Sequence, residues 1–264
     1  MLNTALNSSA RITLVLLVTL AAGRTVHAQG PGRPSGPPPS AEAAAPIDLT
    51  GYWESVVTED WRMRMVTPRP GDYQNIPLRP AGLQVMDAWD PAKDTAAGLQ
   101  CKSFGAPIIM NVPEHLHITW QDDQTLKLET DAGEQTRLFH FVPSMAAARG
   151  PRTWQGYSEA EWQLARRRRG GESRTAWGEL RVTTSDLKAG YLRKNGVPYS
   201  EQAQMLEYFD LIRIQEGAGQ WVMLVDTETI TDPVYLTSAL LTTAQFLKQP
   251  SGAGWEPAAC SAMW

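Results

Sequence analysis

Runs of alternating or β-branched residues broken by turn residues dominate this chain, and hardly any stretch keeps a helical apolar period. Gly51–Val57 and Trp61–Met65 are the first predicted strands. His115–Trp120, Thr125–Thr130 and Gln135–Val142 follow, joined by short turns at Gln121–Gln124 and Asp131–Glu134. Glu179–Thr184, Gln204–Ile214 and Gln220–Ile230 continue the series, the last two linked by Glu216–Gly219, and Leu240–Leu247 completes about nine strands. Only Ala81–Trp89 and Glu159–Ala165 read as helical. Sequential strands of this kind must bury one face and protect their edges. The predicted fold is therefore all-β, an antiparallel meander closing into a barrel, with one or two short helices.

The hairpin from Gln204 to Ile230 carries the most informative pattern. With a four-residue loop, Ile214 faces Trp221, Ile212 faces Met223 and Tyr208 faces Thr227 on one side. On the other, Arg213 faces Val222, Leu211 faces Leu224, Phe209 faces Asp226 and Glu207 faces Glu228. Carboxylates placed directly opposite repel unless a proton, a cation or an arginine intervenes, and such repulsion lifts one pKa toward neutrality, as acid–base chemistry requires. The alternative is a solvated rim. Arg62 and Arg64, alternating on the predicted strand Trp61–Met65, are candidate counter-charges.

His115 and His117 alternate on one strand face, a spacing at which two imidazoles can share a metal ion. The two short turns place His117 in one row with Leu128 and Arg137, and His140 on the opposite face; a slip of one residue reverses this. A cation beside Arg137 is poor electrostatics, so packed or hydrogen-bonded histidines are expected and no metal is implied. The chain has no nucleophile elbow, no phosphate-cradling loop and no dinucleotide fingerprint, and no cofactor is expected.

The N-terminus changes the picture. Arg11 precedes an apolar run from Ile12 to Ala22, and Val26-His27-Ala28 fits a signal peptidase, so residues 1–28 read as an export leader too short to span a membrane. Gln29–Pro46, rich in Pro, Gly, Ser and Ala, reads as a flexible tether, and residues 47–264 as a single barrel domain. The whole chain has 24 basic and 28 acidic residues; loss of Arg11 and Arg24 leaves 22 basic, a net charge of −6. That balance gives no general attraction for nucleic acid. In an oxidising compartment the two cysteines, Cys101 and Cys260, are expected to pair, the alternative being two separate thiols. Arg166–Arg169 beside Gly170-Gly171 reads as a solvated loop.

Trp53, two residues after Gly51, resembles the G-x-W opening of lipocalin-type barrels. Trp154-Gln155-Gly156, Leu180–Thr184, Gly196–Ser200, Glu207-Tyr208-Phe209 and Thr231–Leu236 resemble the ordered landmarks of a family of exported bacterial proteins with no established activity. The resemblance implies a lipocalin-like β-barrel and carries no catalytic residues. Ten tryptophans in 264 residues suggest either a filled interior or a cavity for an apolar or aromatic molecule, with Trp53, Trp120, Tyr208, Arg62 and Arg64 as candidate ligand contacts. The leading expectation is an exported, periplasmic or secreted, small-molecule-binding barrel. The runner-up is a cofactor-independent hydrolase, lyase or isomerase using Glu207, Asp226 and Glu228 with His117 or Arg137; a structural component of the envelope is the third.

Overall fold

The computed structural model describes residues 38–142, 149–164, 178–217 and 219–263. The predicted leader, the first part of the Pro-rich stretch and the predicted Arg166–Arg169 loop lie outside the described residues. Nine strands close into a barrel: β1 (Gly51–Ser55), β2 (His115–Asp122), β3 (Thr125–Thr130), β4 (Thr136–His140), β5 (Tyr157–Leu164), β6 (Gly178–Ser185), β9 (Gln204–Glu216), β10 (Gly219–Thr231) and β11 (Leu240–Gln249). The short strands β7 (Gly190–Tyr191) and β8 (Pro198–Tyr199) pair separately. The barrel runs β1-β11-β10-β9-β6-β5-β4-β3-β2 and closes through β1 on β2, as the all-β expectation required.

Three departures from the predicted meander have physical causes. First, β4 and β5 are parallel, with Phe139 opposite Ser158 and His140 opposite Glu159. A parallel return needs a connection of roughly a dozen residues or more, and the stretch between these strands supplies it. Second, of the predicted helix Glu159–Ala165, residues 159–164 belong to β5, and Ala165 lies outside the described residues. The Glu, Ala, Gln and Leu of β5 favour a helix in isolation, but eight residues of pairing with β6 override that preference. Third, Trp61–Met65, expected to be a strand, holds the one-turn helix α1 (Trp61–Arg64) after Asp60, whose φ is 46°. Both edges of β1 are already paired, leaving no place beside it for another strand.

α2 (Pro80–Asp87) occupies the predicted Ala81–Trp89 helix and starts with proline at its first position, where no backbone N–H is needed. α3 (Pro91–Ala96) is capped by Asp90, whose side chain accepts from the N–H groups of Ala92 and Lys93. A 3₁₀ turn (Gln100–Phe104) and α4 (Ala106–Ile109) complete the helical part. These segments form a cap whose core includes Ile76, Met86, Leu192 and Tyr199, and which meets the barrel at Met205 and Ile230. Cys101 of the cap is bonded to Cys260, Cα to Cα 5.0 Å, and so fastens the C-terminal segment to it. Among the described residues no helix is long and apolar enough to cross a membrane.

The barrel interior is filled by side chains. Trp53 is fully buried and donates its indole N–H to the Leu49 carbonyl at 2.9 Å; Phe139, Phe209 and Phe246 pack in the same cluster. At the end of the Pro-rich stretch, Ala41 donates its N–H to Gln124 and accepts from the Trp162 indole at 2.8 Å, so that segment lies against the barrel wall.

Candidate functional site

The pairing of β9 with β10 is the one read from the sequence: Glu207 lies opposite Glu228, Phe209 opposite Asp226, and Tyr208 opposite Thr227. Alternation then aims Glu207, Asp226 and Glu228 into the barrel. All three are fully buried, and their oxygens lie within 4.8 Å of one another. Three negative charges cannot persist at that spacing in a dry interior.

The counter-charge comes from β4, across the barrel. Arg137, also buried, sends Nη1 and Nη2 to the two oxygens of Glu207, each at 2.6 Å, and Nη2 also donates to Thr184 Oγ1 at 3.3 Å. Thr184 in turn shares a 2.8 Å hydrogen bond with Ser158. This fork-to-fork pair is the strongest geometry available to a buried ion pair. Burial disfavours the Arg137 cation, and Glu207 more than restores it. Burial, together with Glu207 and Glu228, holds the Asp226 carboxyl well above the usual carboxylate range. Burial and Glu207 push Glu228 up to about 8, with Arg137 giving partial relief. The cluster is therefore an Arg137–Glu207 ion pair beside two carboxyls, Asp226 and Glu228, whose surroundings favour the neutral acid. A metal ion there would have to share Glu207 with Arg137, whose positive charge opposes it.

Above the cluster sits Asn111, just after α4. Its Nδ2 donates to Glu228 Oε2 at 3.1 Å, its Oδ1 accepts from Thr242 at 3.2 Å, and its backbone carbonyl accepts from Arg64 Nε at 2.8 Å. Both polar atoms of that side chain have a partner, and it stands between the carboxylates and a pocket that it lines. That pocket, of about 100 Å³, lies between cap and barrel mouth. Arg64, Arg193 and Lys194 line it with Asn111, Glu59 and Asp60, and Ile108, Val112, Leu192 and Ile230 give it an apolar wall. Burial pulls Lys194 down to about 7 against the pull of Glu114, and its ammonium stands 4.1 Å from the centre of the Phe104 ring. Burial also lowers Arg193, whose Nη1 is buried and meets no acceptor among the described residues. Glu114, buried beside these cations, is raised well above the usual range by burial and by Asp131.

The structure thus unites Glu207, Asp226, Glu228 and Arg137, and it separates the other sequence candidates from them. His117 is the main correction. A bulge in β2 between Trp120 and Asp122 moves Ile118, and not His117, opposite Leu128 and so into the row of Arg137. His117 lies opposite Glu129 on the outer face and stacks on Tyr52 at 4.2 Å, so it is no partner for the carboxylates. His140 is likewise on the outer face, stacked on Tyr157, and His115 bonds Asp131 at 2.8 Å; each histidine is satisfied separately. Tyr208 alternates with buried Glu207 and Phe209 and points outward. Trp53 and Trp120 pack in or against the core, the latter on Phe141. Arg62 and Arg64, expected side by side on a strand, fall on opposite faces of α1. Arg62 is exposed near Asp72, and Arg64 turns inward to Asn111, reaching Glu228 only through it.

Sequence reasoning missed Asn111, Arg193 and Lys194. Arg193-Lys194-Asn195-Gly196 reads as an exposed turn, yet residues 191–200 are all buried beneath the cap. The nearest signal was Gly196, whose φ of 84° allows the close approach of Trp89 that seals the turn. No family model, curated protein or solved structure matches this chain.

Proposed function

We propose that this is an exported binding protein for a compact small molecule, held in the pocket between the barrel mouth and the helical cap. The observation that carries the reading is the division of labour in the interior. Aromatic and aliphatic side chains fill the barrel itself, while the mouth keeps a pocket with an apolar wall and a few convergent buried polar groups, the usual make-up of a ligand site. Export is supported by the apolar leader in the sequence and by the Cys101–Cys260 bridge, which suits an oxidising compartment.

Binding is favoured over catalysis because Glu207, Asp226 and Glu228 do not line the pocket; Asn111, with all its polar atoms engaged, lies between them and any occupant. The volume also limits the occupant. A cavity of about 150 Å³ holds benzene, so a pocket of about 100 Å³ encloses roughly four heavy atoms, and a compact molecule of up to about six extends into its mouth.

The test is an NMR titration with a panel of molecules of that size, observing backbone amides. Binders should shift Asn111, Leu192–Lys194 and Leu240–Thr243 together, and Ile108→Trp, which fills the pocket, should weaken them at least tenfold without unfolding the protein. Binders that map elsewhere and ignore Ile108→Trp would refute the assignment.

A further inference from the structure

The proposed pocket has cationic residues that the barrel does not need for its own closure. Arg193 is only 8 % exposed, it lines the pocket, and its Nη1 has no acceptor among the described residues. A buried guanidinium donor with nothing to bind is costly, and a ligand oxygen placed against it removes that cost. Lys194, 4 % exposed, and Arg64, 7 % exposed, border the same space. Arg64 is held in place by the Asn111 carbonyl and by Ser55.

We propose that the ligand of this pocket is a small monocarboxylate, its oxygens taken by Arg193, Lys194 and Arg64 and its short aliphatic tail lying against Ile108 and Ile230. The inference rests on the mouth pocket being the ligand site. Three further observations narrow the chemistry.

The charge balance selects a single negative charge. Three cationic residues line the pocket against Glu59 and Asp60, both at the exposed rim, and Glu59 already accepts from the Thr243 hydroxyl. Glu114, buried beside Lys194 and Arg64, is pushed well above the usual carboxylate range by burial and by Asp131 against the pull of those cations, which weakens it as their counter-charge. A net charge of about one favours a monoanion over a dianion. Next, the planar fork of an arginine matches a carboxylate in two parallel hydrogen bonds. Finally, the apolar wall gives a purely hydrated oxyanion such as phosphate no reason to desolvate there, whereas two or three methylene groups gain from burial.

The experiment compares butanoate, butanamide and inorganic phosphate by NMR titration of the intact protein at pH 6.5 and low salt. Butanoate and butanamide have the same shape and differ in charge. Butanoate should bind at least tenfold more tightly than butanamide and more tightly than phosphate, and it should shift the amides of Arg193, Lys194 and Thr242. Arg193→Gln should cut the preference for the acid over the amide at least threefold, with the charges of Lys194 and Arg64 keeping the remainder. Arg193→Lys, which keeps the charge but loses the fork, should retain part of the preference. Equal binding of acid and amide, or a preference that Arg193→Gln leaves unchanged, would overturn the carboxylate assignment while leaving the pocket as a ligand site. Tighter binding of phosphate would overturn the tail. If neither butanoate nor butanamide shifts the pocket amides, both the carboxylate assignment and the pocket reading fail.

Discussion

Replacing Glu228 by glutamine tests the electrostatics of the barrel interior in a way that pH itself can read. In the folded protein Glu228 faces Glu207 in its own row, Asp226 on the same strand, Arg137 from across the barrel, and Asn111 and Arg64 from above. Its carboxyl is pushed from an ordinary 4.5 up to about 8, chiefly by burial. A carboxyl raised in the folded state keeps its proton while the unfolded chain has lost it. Below pH 4.5 both states are protonated and the group is neutral to folding. Between 4.5 and about 8 the native state binds more protons, so stability falls as pH rises, by about 1.4 kcal/mol per pH unit for one proton. Over that window the loss amounts to about 3 to 5 kcal/mol, the lower figure allowing for relaxation around the charge.

Glutamine has the shape of the protonated acid and cannot ionise. Its amide can accept from Asn111 and donate toward Asp226. Glu228→Gln should therefore match the parent to within about 1 kcal/mol at pH 5 and exceed it by about 3 kcal/mol or more at pH 8. Urea unfolding followed by tryptophan fluorescence at pH 5, 6, 7 and 8 measures the difference directly, and contributions common to both proteins, Lys194 among them, cancel. A difference that stays constant across this range, or that turns against the variant as pH rises, would mean that Glu228 is ionised in the native barrel and that the account of the cluster is wrong.

Arg137→Met should cost about 3 to 5 kcal/mol at pH 7, because it leaves Glu207 buried beside two further acids with no cation. Arg137→Met combined with Glu207→Leu should recover at least half of that loss in the same urea assay; a single-variant cost below about 1 kcal/mol would show that the ion pair is not holding Glu207 in place. Reducing the Cys101–Cys260 bond, which closes a span of 159 residues, should lower stability by up to about 5 kcal/mol. Thiol titration of the unfolded, unreduced protein should find no free thiol, and two would contradict the bridge.

How far this arrangement was legible in the sequence depended on whether local signals controlled it. The β9–β10 register could be read because the short, glycine-containing loop pins the pairing; both faces of the hairpin are largely apolar in the middle, so alternation alone would not have fixed it. His117 was placed on the wrong face by one bulged residue near Gln121, a defect that leaves no mark in the composition. In Trp61–Met65 the alternation of apolar and charged residues imitated a strand, but strand formation needs a free neighbour and closure of the barrel supplied none. β5 failed in the opposite sense, its helix-favouring residues recruited by partners distant in the chain. Arg193 and Lys194 were invisible as site residues, since charged residues beside a glycine ordinarily mean solvent and only the cap reveals that they are enclosed.

A barrel that fills most of its interior with hydrocarbon has no stability reason to bury an arginine and three acids, because apolar residues of similar volume are often as stable or more so. The ion pair does, however, penalise the alternatives. A slip of one residue in β4 or β9 would turn Arg137 or Glu207 outward and strand the other, at a cost of about 3 to 5 kcal/mol, which repacked aliphatic side chains would not impose. The pair thus fixes the alignment of two strands that meet only across the barrel. That alignment fixes Glu228, Glu228 holds the Asn111 amide, and the Asn111 carbonyl holds Arg64 at the pocket. The double variant Arg137→Met/Glu207→Leu separates these roles. A stable barrel with its stability restored and its mouth-pocket amides broadened or doubled would mean that the buried charges serve to position the mouth, where the ligand is proposed to sit.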